Sequence, residues 1–438
     1  MDLSNFFEGL LNLNEPYKIV NIERKVADEK TPESVHIYIE VSKDYRPVNE
    51  VSIQGIRHDV EPRTWRHLDL FQYICYLHCE VPKFKYGQGK DSYVETLKVP
   101  WSRSGSGFTL LFESLVMGLL ELHGCVKRVA KQVREYPQRI QTLANFYEPL
   151  EELETADFGE DTPKEKEDEL SSIEVLQTEV EIKSDELKDV KKLNIDETSR
   201  KKGHDYVTNF IDGDTGELLD IQKGKGAKTI ERFVKKGLSK GLNPSQITDI
   251  SIDMSPSFIC GCEFYFPQAM ISFDKFHVSQ LINRCFDEFR KKQGRKLGER
   301  LPKWAIVKPM EKLSAKEYEK MSIYLDQLPQ LDRFHQHKNR FSELWTYEDP
   351  EQGAVYLAFW IGYLHDMAIE FKDKKMMTLT KTLNKHFDRI INVLKSGMDN
   401  SISEAFNNNV QIMKRVARGY KKFEQYIQMI KIHCAWAK

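Results

Sequence analysis

The sequence predicts an α/β fold class, in which a mixed α/β domain follows a small β-rich module and a short helical unit. Three observations predict it. Residues 35–93 alternate apolar and polar side chains with many β-branched and aromatic residues, which is typical of short antiparallel strands. Residues 193–275 alternate strand-like with helix-like segments. The residues from Asp274 to Lys395 carry apolar side chains at helical spacing.

The composition is that of a folded protein without membrane spans. The chain has 438 residues, of which 40% are hydrophobic and 30% charged, and its net charge of -2 averages acidic and basic segments. No apolar run approaches the ~20 residues that span a bilayer. No basic region precedes the first apolar stretch, as a secretory signal requires, so we expect a cytoplasmic protein. The seven cysteines are scattered, which indicates reduced, buried thiols.

Residues 1–104 form the predicted β-rich module, with VHIYIEV, FQYICYLHCEV and SYVETLKV as expected strands. In residues 105–147 apolar side chains recur at helical spacing, and Gly124 and Pro137 divide the segment into two or three short helices. Helices this short are compatible with a helix-turn-helix unit.

Residues 148–192 are dominated by Glu, Asp and Lys, with no aromatic residue after Phe158. Such a composition does not bury enough apolar surface to offset the entropy of ordering. We interpret this segment as a solvated acidic linker, in which a short helix between Ile173 and Val190 is compatible with the pattern.

Residues 193–275 are the first part of the α/β domain. The expected strands are KLNIDET, DYVTNFID, ELLDIQKG, ITDISIDM and AMISFD, with a helix from Ile230 to Leu238. Residues 276–396 show only helical periodicity, and residues 397–438 form a final helical region.

Two aspartates are expected at strand ends in the α/β domain. Asp196 is predicted at or near the end of the first strand, and Asp253 closes the strand from Ile247 to Ile252, just before a proline that favours a helix start. Open α/β sheets bind ligands at strand ends, so these carboxylates are expected to share one crevice. Carboxylate oxygens are the ligands that magnesium prefers.

Glu404 is the candidate for a third acid, because it lies on a helix with an apolar stripe that can pack against the sheet edge. Two ions held by such acids stabilise the attacking and leaving oxygens of a phosphodiester. The alternative is that each acid is a helix cap or a solvated charge, which is the commoner role of acids at element ends.

Three blocks of the sequence closely resemble bacterial insertion-sequence transposases of the ISL-three family. They are IDETSRKKGHDYVTNFIDGDTGELL, DMSPSFICGCEFYFPQAMISFDKFHV and ISEAFNNNVQIMKRVARGYKKFEQY. Nearer the N-terminus, RTWRHLDLFQYICYLHCEVPKFK and VPWSRSGSGFTLLFESLV are similar to that family as well. The resemblance covers almost the whole chain apart from the acidic segment.

The resemblance implies a D-D-E transposase whose catalytic, metal-binding acids are Asp196, Asp253 and Glu404. It implies an RNase H-like catalytic domain, interrupted between its second aspartate and its glutamate by the helical segment 276–396. Two Mg²⁺ ions, or Mn²⁺ as a substitute, would activate water for DNA cleavage and then a 3′-hydroxyl for strand transfer. No covalent protein intermediate is implied.

The family's N-terminal module usually carries Cys-Pro-x-Cys pairs that bind structural zinc, and these ligands are missing here. Residues 45–49 and 86–89 stand in the corresponding places. We therefore expect a degenerate zinc-ribbon-like module without zinc, held together by apolar packing. Cys75, His78 and Cys79 lie nearby, but strand alternation points His78 away from both thiols.

DNA is the expected partner, as terminal inverted repeats and as target DNA. The candidates for DNA contact are Arg63, Trp65, Arg66 and His67 in the β-rich module, Lys127, Arg128, Lys131 and Arg134 in the helical unit, and Lys414, Arg415 and Arg418 after Glu404. Structural or solvated roles are the alternative for these residues. For the acidic segment, the alternative is a flap that competes with DNA.

The resemblance and the mechanism together imply a homodimer or larger oligomer on DNA, in the bacterial cytoplasm and associated with the nucleoid when bound to DNA. A catalytically silent DNA-binding protein derived from a transposase stays open, because the zinc ligands are missing. An unrelated metal-dependent nuclease or phosphatase is disfavoured, because the resemblance extends into the N-terminal module.

Overall fold

The computed structural model describes residues 7–9, 11, 13–27, 33–150, 170–201, 205–303, 313–398 and 401–434. The chain divides into two compact units, Met1–Leu150 and Glu151–Lys438. The first unit contains the predicted β-rich module and helical unit. The second contains the α/β domain and the long helical segment.

The first unit is built on a five-stranded sheet in the order β1-β2-β4-β3, with β5 paired to β4. The strands are β1 Tyr17–Lys25, β2 Ser34–Val41, β3 Ile56–Leu70, β4 Tyr73–Tyr86 and β5 Tyr93–Thr96. All neighbours are antiparallel except β2 and β4. Alternate side chains of β2 and β4 enter one apolar core, which also holds Trp65.

The two cysteines of β4 belong to that core, as strand alternation predicts. Cys75 and Cys79 are free, buried thiols, and burial raises the pKa of each to about 12. His78 lies between them in the sequence but on the opposite, half-buried face of the strand. Its Nε2 atom is 2.7 Å from the Nδ1 atom of His36. Ordinary strand packing therefore accounts for all three residues.

Three helices follow β5 in the first unit: α1 Leu110–His123, α2 Val126–Gln132 and α3 Pro137–Tyr147. The Thr109 side chain caps the start of α1, and Gly124 ends it in the left-handed conformation that glycine adopts without strain. Pro137 occupies the first turn of α3. The prediction that Gly124 and Pro137 separate short helices is confirmed.

The second unit contains a five-stranded mixed sheet in the order β10-β9-β6-β7-β8. The strands are β6 Lys192–Lys201, β7 Asp205–Asp212, β8 Leu218–Lys223, β9 Asp249–Ile252 and β10 Met270–Phe273. Strands β6, β7 and β8 form an antiparallel meander, whereas β9 and β10 run parallel to β6. Each of the five predicted strands is present.

Helices α5 Ala227–Ser239 and α6 Pro256–Tyr265 connect the strands and pack in the same core. The rings of Phe210 and Phe233 stack there with centroids 4.0 Å apart, joining sheet to helix. The predicted helix from Ile230 to Leu238 therefore forms, extended by a few residues at its start.

Part of the predicted acidic linker belongs to the second unit, which corrects the interpretation of residues 148–192 as a solvated tether. Residues 170–192 contain helix α4, Ile173–Glu179, and bury Leu176, Leu187 and Val190 in the core. Sparse apolar residues in a charged stretch suffice for this, because they dock on a core that the rest of the unit supplies. The earlier part of the predicted linker, residues 151–169, lies outside the described residues.

The described residues after β10 form helices and their connections, as predicted. The helices are α7 Lys275–Leu297, α8 Ala315–Gln327, α9 Pro329–Arg340, α10 Pro350–Glu370, α11 Lys374–Lys385, α12 Phe387–Ser396, α13 Ser401–Val416 and α14 Phe423–Cys434. Asn392 of α12 donates from Nδ2 to the Ile271 carbonyl at 2.9 Å, which ties the helical segment to β10. No described helix combines the length and the apolar character that crossing a bilayer requires.

Candidate active site

The parallel strands β6 and β9 bring Asp196 and Asp253 to matching positions. Leu193 lies opposite Ile250, and each aspartate follows its strand residue by three positions. Equal offsets in a parallel pair place two side chains on the same face, here towards the carboxyl-terminal end of β9. The structure thus brings together two of the three predicted acids.

Asp196 lies within β6, which corrects the expectation that it stands at or near the end of its strand. The pairing of β6 with β9 stops at Asn194, but β6 continues along β7 as far as Lys201. The polar residues after Asp196 are compatible with a strand because the β7 backbone satisfies their hydrogen bonds. Asp196 therefore lies just past the paired part of β6 and β9, level with Asp253.

Both aspartates are fixed by hydrogen bonds. Asp196 is only 8% exposed. Its Oδ1 atom accepts from the Glu197 N–H at 2.8 Å, and its Oδ2 atom accepts from the Nδ2 atom of Asn407 at 2.5 Å. Asp253 accepts from the Ser255 N–H at 2.8 Å, where helix α6 begins. Backbone bonds of this kind limit the rotation of both carboxylates.

The environment disfavours the charged form of these acids. Burial, reinforced by the carboxylates of Asp274 and Asp253, raises the pKa of Asp196 to about 6, although the Glu197 N–H and His277 oppose this. The pKa of Asp253 is also raised, chiefly by burial. Ionised carboxylates that burial and mutual repulsion destabilise are ones that a cation stabilises.

Asp274 is a third aspartate of this cluster, and the sequence analysis did not single it out. Phe273 of β10 pairs with Ile252 of β9, so Asp274 lies beside Asp253 at the next strand end. It is 5% exposed. Its carboxylate also accepts the N–H at the start of helix α7 at 2.8 Å. A strand-Asp-helix pattern, which Asp253 shares, was the signal that could have found it.

His277 lies between two of these carboxylates, one turn into helix α7. Its Nε2 atom is 3.9 Å from Oδ1 of Asp196 and 3.7 Å from Oδ2 of Asp274. Its spacing of three residues from Asp274 puts both on one helix face. Only the tertiary fold brings it to Asp196, and no local pattern in the sequence predicted that.

Glu197 and Lys225 flank the cluster. Burial raises the pKa of Glu197, while the Lys225 ammonium lowers it and also favours the charged form of Asp253. The Nζ atom of Lys225 lies 4.6 Å from the centroid of the Tyr206 ring. The site therefore holds a basic group within electrostatic range of the acids.

The third predicted acid, Glu404, stands apart from this cluster. It is an exposed residue in the first turn of α13, and its side chain makes no hydrogen bond or ion pair within the part of the chain that the structure describes. Asn407, one helical turn later, binds Asp196. The structure therefore places the helix of Glu404 against the site without joining its carboxylate to the aspartates.

The donor set fits a hard divalent cation in its chemistry, since carboxylate oxygens are the ligands that such ions prefer. The geometry of the acid cluster fits such an ion only in part. Across the described ranges, no three His, Cys, Asp or Glu side chains are gathered so that they could hold a metal ion. Asp196 and Asp253 are the two predicted acids that the fold brings close enough for the carboxylate of one to influence the pKa of the other.

Trp65, Arg66 and His67 lie inside the first unit, which corrects the expectation that they contact DNA. Their exposures are 1%, 1% and 6%. The Arg66 guanidinium lies 3.7 Å from the Glu135 carboxylate and also pairs with Asp69. Burial of these side chains supports the packing of sheet and helices and leaves them no surface for a phosphate.

Arg63 retains a 32% exposed side chain, although it pairs with Glu61 at 3.0 Å. In the helical unit Lys127, Arg128 and Lys131 are exposed along α2. Arg134 is engaged in contacts within the first unit, because it pairs with Asp69 and donates to the Gln72 carbonyl at 2.8 Å.

The three predicted DNA-contacting residues in and just after α13 also divide into one engaged in a structural contact and two that are exposed. Lys414 donates to the Ser199 carbonyl at 2.8 Å and so anchors the helix to β6. Arg415 and Arg418 are exposed. The two arginines thus keep their charges at the surface of the second unit.

Comparisons with known proteins point one way. A family model described as "Transposase", of the ISL-three type, matches residues 193–430, more than half of the chain. The transposase for insertion sequence element IS1001 of Bordetella parapertussis is 25% identical over 248 residues, which are 55% of this chain and 60% of that protein. The transposases for IS1557 of two Mycobacterium tuberculosis strains, CDC 1551 / Oshkosh and H37Rv, are each 22% identical over 397 residues, 84% of this chain and 80% of theirs.

Proposed function

The chain belongs to the ISL-three transposase family, and from this premise we propose that it is an active D-D-E transposase, which cuts DNA at the ends of an insertion sequence and joins them to a target. The alignment spans less than two thirds of the IS1001 relative, 60% of its length. The activity therefore rests on the site of this chain itself.

One observation carries the proposal: Asp196 and Asp253 converge just past the paired residues of adjacent parallel strands, and burial raises the pKa of both. Structural acids are usually solvated or paired with a base, whereas an acid cluster in a buried crevice is typical of a functional site. We propose that both aspartates are ligands of divalent cations, Mg²⁺ or Mn²⁺.

When bound, a pair of such ions would polarise the scissile phosphate and stabilise the attacking and leaving oxygens. The chain's own task is to hold the ligands in place. The backbone bonds to Asp196 and Asp253 serve this task. Lys225, in electrostatic range of Asp253, is placed to meet the charge of a DNA phosphate.

We propose that Glu404 supplies the third ligand once cations are bound. Its side chain is exposed and makes no described contact, so a change of rotamer meets little resistance. Residues three apart on a helix are neighbours, and Asn407, three residues on, already binds Asp196. In this scheme a short movement of the Glu404 side chain is therefore enough to bring its carboxylate to the metal site.

The strand order supports an RNase H-like arrangement for the catalytic domain. An antiparallel meander, β6-β7-β8, is followed by two strands parallel to β6. The helical residues 276–396 stand between β10 and α13, where the resemblance implies an insertion. The β-rich first unit would take the place of the family's zinc module, and its apolar core supports stability without a metal.

We propose that exposed bases of α2, Arg415 of α13 and Arg418 just after that helix bind DNA. Lys127, Arg128, Lys131, Arg415 and Arg418 carry their charges at the surface. A transposase must bring two DNA ends together, so a homodimer or larger assembly on DNA follows from the mechanism. The site of action would be the bacterial cytoplasm and nucleoid.

The test is DNA cleavage and strand transfer on a duplex carrying the element's own ends, with Mg²⁺ or Mn²⁺. Asp196→Asn, Asp253→Asn and Glu404→Gln are each expected to lower product formation by at least about 100-fold, because removing a metal ligand removes the metal's stabilisation of the reacting oxygens. Asp249→Asn is the matched control, because Asp249 lies at the end of β9 opposite to Asp253. This variant should retain activity.

A folded wild-type protein that binds these ends but cuts nothing with any divalent cation would overturn the proposal. The catalytically silent DNA-binding protein would then be the better description. The absence of the family's zinc-binding thiols from residues 45–49 and 86–89 is the observation that favours this second candidate.

A further inference from the structure

A polar network lies between helix α13 and the sheet of the second unit. The Oδ1 atom of Asn407 accepts a hydrogen bond from the Thr198 hydroxyl and another, at 3.1 Å, from the Nδ2 atom of Asn209. The same Asn209 amide donates to the Thr198 hydroxyl at 3.3 Å. The remaining amide atom of Asn407, Nδ2, donates to Oδ2 of Asp196. One side chain thus joins both strands of the β6/β7 pair to the candidate metal ligand.

The network determines which way the Asn407 amide points. If the amide were flipped, its NH₂ group would face the NH₂ group of Asn209, and two donors cannot bond to each other. Its oxygen would then face the Asp196 carboxylate, where two acceptors repel. With the Asn209 amide oriented to donate from Nδ2, the Asn407 amide has one orientation that suits both neighbours, and this orientation presents a donor to Asp196.

The network also sets the position of α13 along β6. Asn407 binds Asp196 and Thr198, and Gln411 and Lys414, one and two turns further on, both donate to the Ser199 carbonyl. A helix that slid by one residue would lose these bonds together. Glu404 lies three residues before Asn407, so the register of this helix decides where its carboxylate starts.

Burial makes such a network expensive for stability. Thr198 is 3% exposed, Asn209 1% and Asp196 8%, and polar groups packed this deeply stabilise a fold less than apolar groups of the same shape. A network retained at that cost beside two candidate ligands points to a role in their geometry. Groups that orient metal ligands in this way usually affect metal affinity by about 10-fold to 100-fold.

We propose that Asn407 is a positioning residue for the metal site: its amide fixes the Asp196 carboxylate and holds α13 in the register from which Glu404 completes the site. Asn407 touches neither substrate nor reacting atoms in this scheme. The inference rests on the proposed function of Asp196 as a metal ligand. It adds a residue that is not itself one of the three acids.

The experiment measures Mn²⁺ binding to the full-length protein without DNA, by the electron paramagnetic resonance signal of free Mn²⁺. Asn407→Leu keeps the approximate volume and removes the amide, and we expect its dissociation constant for Mn²⁺ to rise by about 10-fold to 100-fold. Asn408→Leu is the matched control, because Asn408 is the exposed neighbour on the same helix. It should bind Mn²⁺ as the wild type does.

Thr198→Val is a second, milder variant in case Asn407→Leu does not fold. It removes one donor that orients the amide, and it should weaken Mn²⁺ binding in the same direction by a smaller factor. A purely structural role would lower the melting temperature and leave the Mn²⁺ dissociation constant unchanged. Wild-type affinity in folded Asn407→Leu or, where that variant does not fold, in Thr198→Val, overturns the positioning role alone, whereas a wild type that binds no Mn²⁺ overturns the metal site and this inference with it.

Discussion

The carboxylate of Asp196 illustrates how single residues shape the site. Its burial beside Asp253 and Asp274 raises its pKa, so the folded chain holds a proton there more tightly than the unfolded chain does. The same environment that weakens the apo protein at neutral pH strengthens its attraction for a cation. Stability and function are opposed at this residue.

We predict that metal-free wild type loses stability as the pH rises from about 4 to about 6. Folding raises the pKa of Asp196 from 3.8 to about 6, so the stabilisation that is fully present below the unfolded value disappears through this window. Urea unfolding at several pH values should show this loss relative to Asp196→Asn. Parallel pH curves for the two proteins would contradict it.

Arg63 and Arg66 allow the effect of a partly exposed charge on stability to be compared with that of a buried one. Arg66→Ala should lower the free energy of unfolding by about 3 kcal/mol or more, because it removes a fully buried guanidinium with two acidic partners. Arg63→Ala, at a partly exposed pair, should change it by less than about 1 kcal/mol. Thermal and urea unfolding measure both.

The burial of Arg66 also predicts that this residue affects DNA affinity only through the stability of the fold. Any loss of DNA binding in Arg66→Ala should track the fraction of unfolded protein, since the side chain is interior. A folded Arg66→Ala protein with weakened DNA binding would instead show that the residue acts at the DNA surface.

At the scale of elements, the segment before β6 shows how a charged stretch becomes part of a domain. Helix α4 and the residues up to Val190 contribute three buried side chains to the second unit. Backbone bonds add to this attachment, as when the Leu187 N–H donates to the Lys240 carbonyl at 2.9 Å. The segment is an integral layer of the unit and not a tether.

We predict that Leu176→Ala destabilises the second unit by about 2–5 kcal/mol, as for other buried leucines. Leu176 is 2% exposed. The matched control is Ile182→Ala in the same segment, where a 68% exposed side chain should matter by less than about 0.5 kcal/mol. Hydrogen exchange of the β6 amides and thermal unfolding measure the difference, and equal stability of the two variants would restore the tether interpretation.

At the scale of the whole molecule, the predicted DNA-binding charges are distributed over both units. The first unit exposes the bases of α2, and the second exposes Arg415 and Arg418. Binding to phosphates releases counterions, so each bound phosphate adds to the salt dependence of binding. The contribution of each unit can therefore be measured separately in the intact protein.

We predict that the triple variant Lys127→Ala, Lys131→Ala and Arg128→Ala binds the terminal repeats more weakly and with a shallower salt dependence. The slope of log K against log salt should fall by about 0.9 for each phosphate that the variant no longer neutralises. The double variant Arg415→Ala and Arg418→Ala should reduce the slope as well. Lys98→Ala, an exposed lysine elsewhere in the first unit, is the control; an unchanged slope in both multiple variants would remove these helices from the DNA interface.

The sequence by itself determined the elements and two of the candidate aspartates. Apolar alternation and helical spacing are local, so the strands from β6 to β10 and the helices after Asp274 were predictable. A strand followed by a helix start is also local and marked Asp253, while Asp196 was found although its strand runs on past it. Glu404 was a candidate from its place on an apolar-striped helix, and the family resemblance joined it to the two aspartates as a D-D-E triad.

Only the tertiary structure decided which side chains meet and which are buried. Register between strands brings Asp274 beside Asp253, and the docking of helices brings His277 and Asn407 to Asp196. Trp65, Arg66 and His67 are consecutive, so alternation predicts an exposed member among them, yet sheet and helices together enclose all three. Contacts between residues as far apart as 215 positions leave no trace in a local pattern, because packing energy depends on neighbours in space.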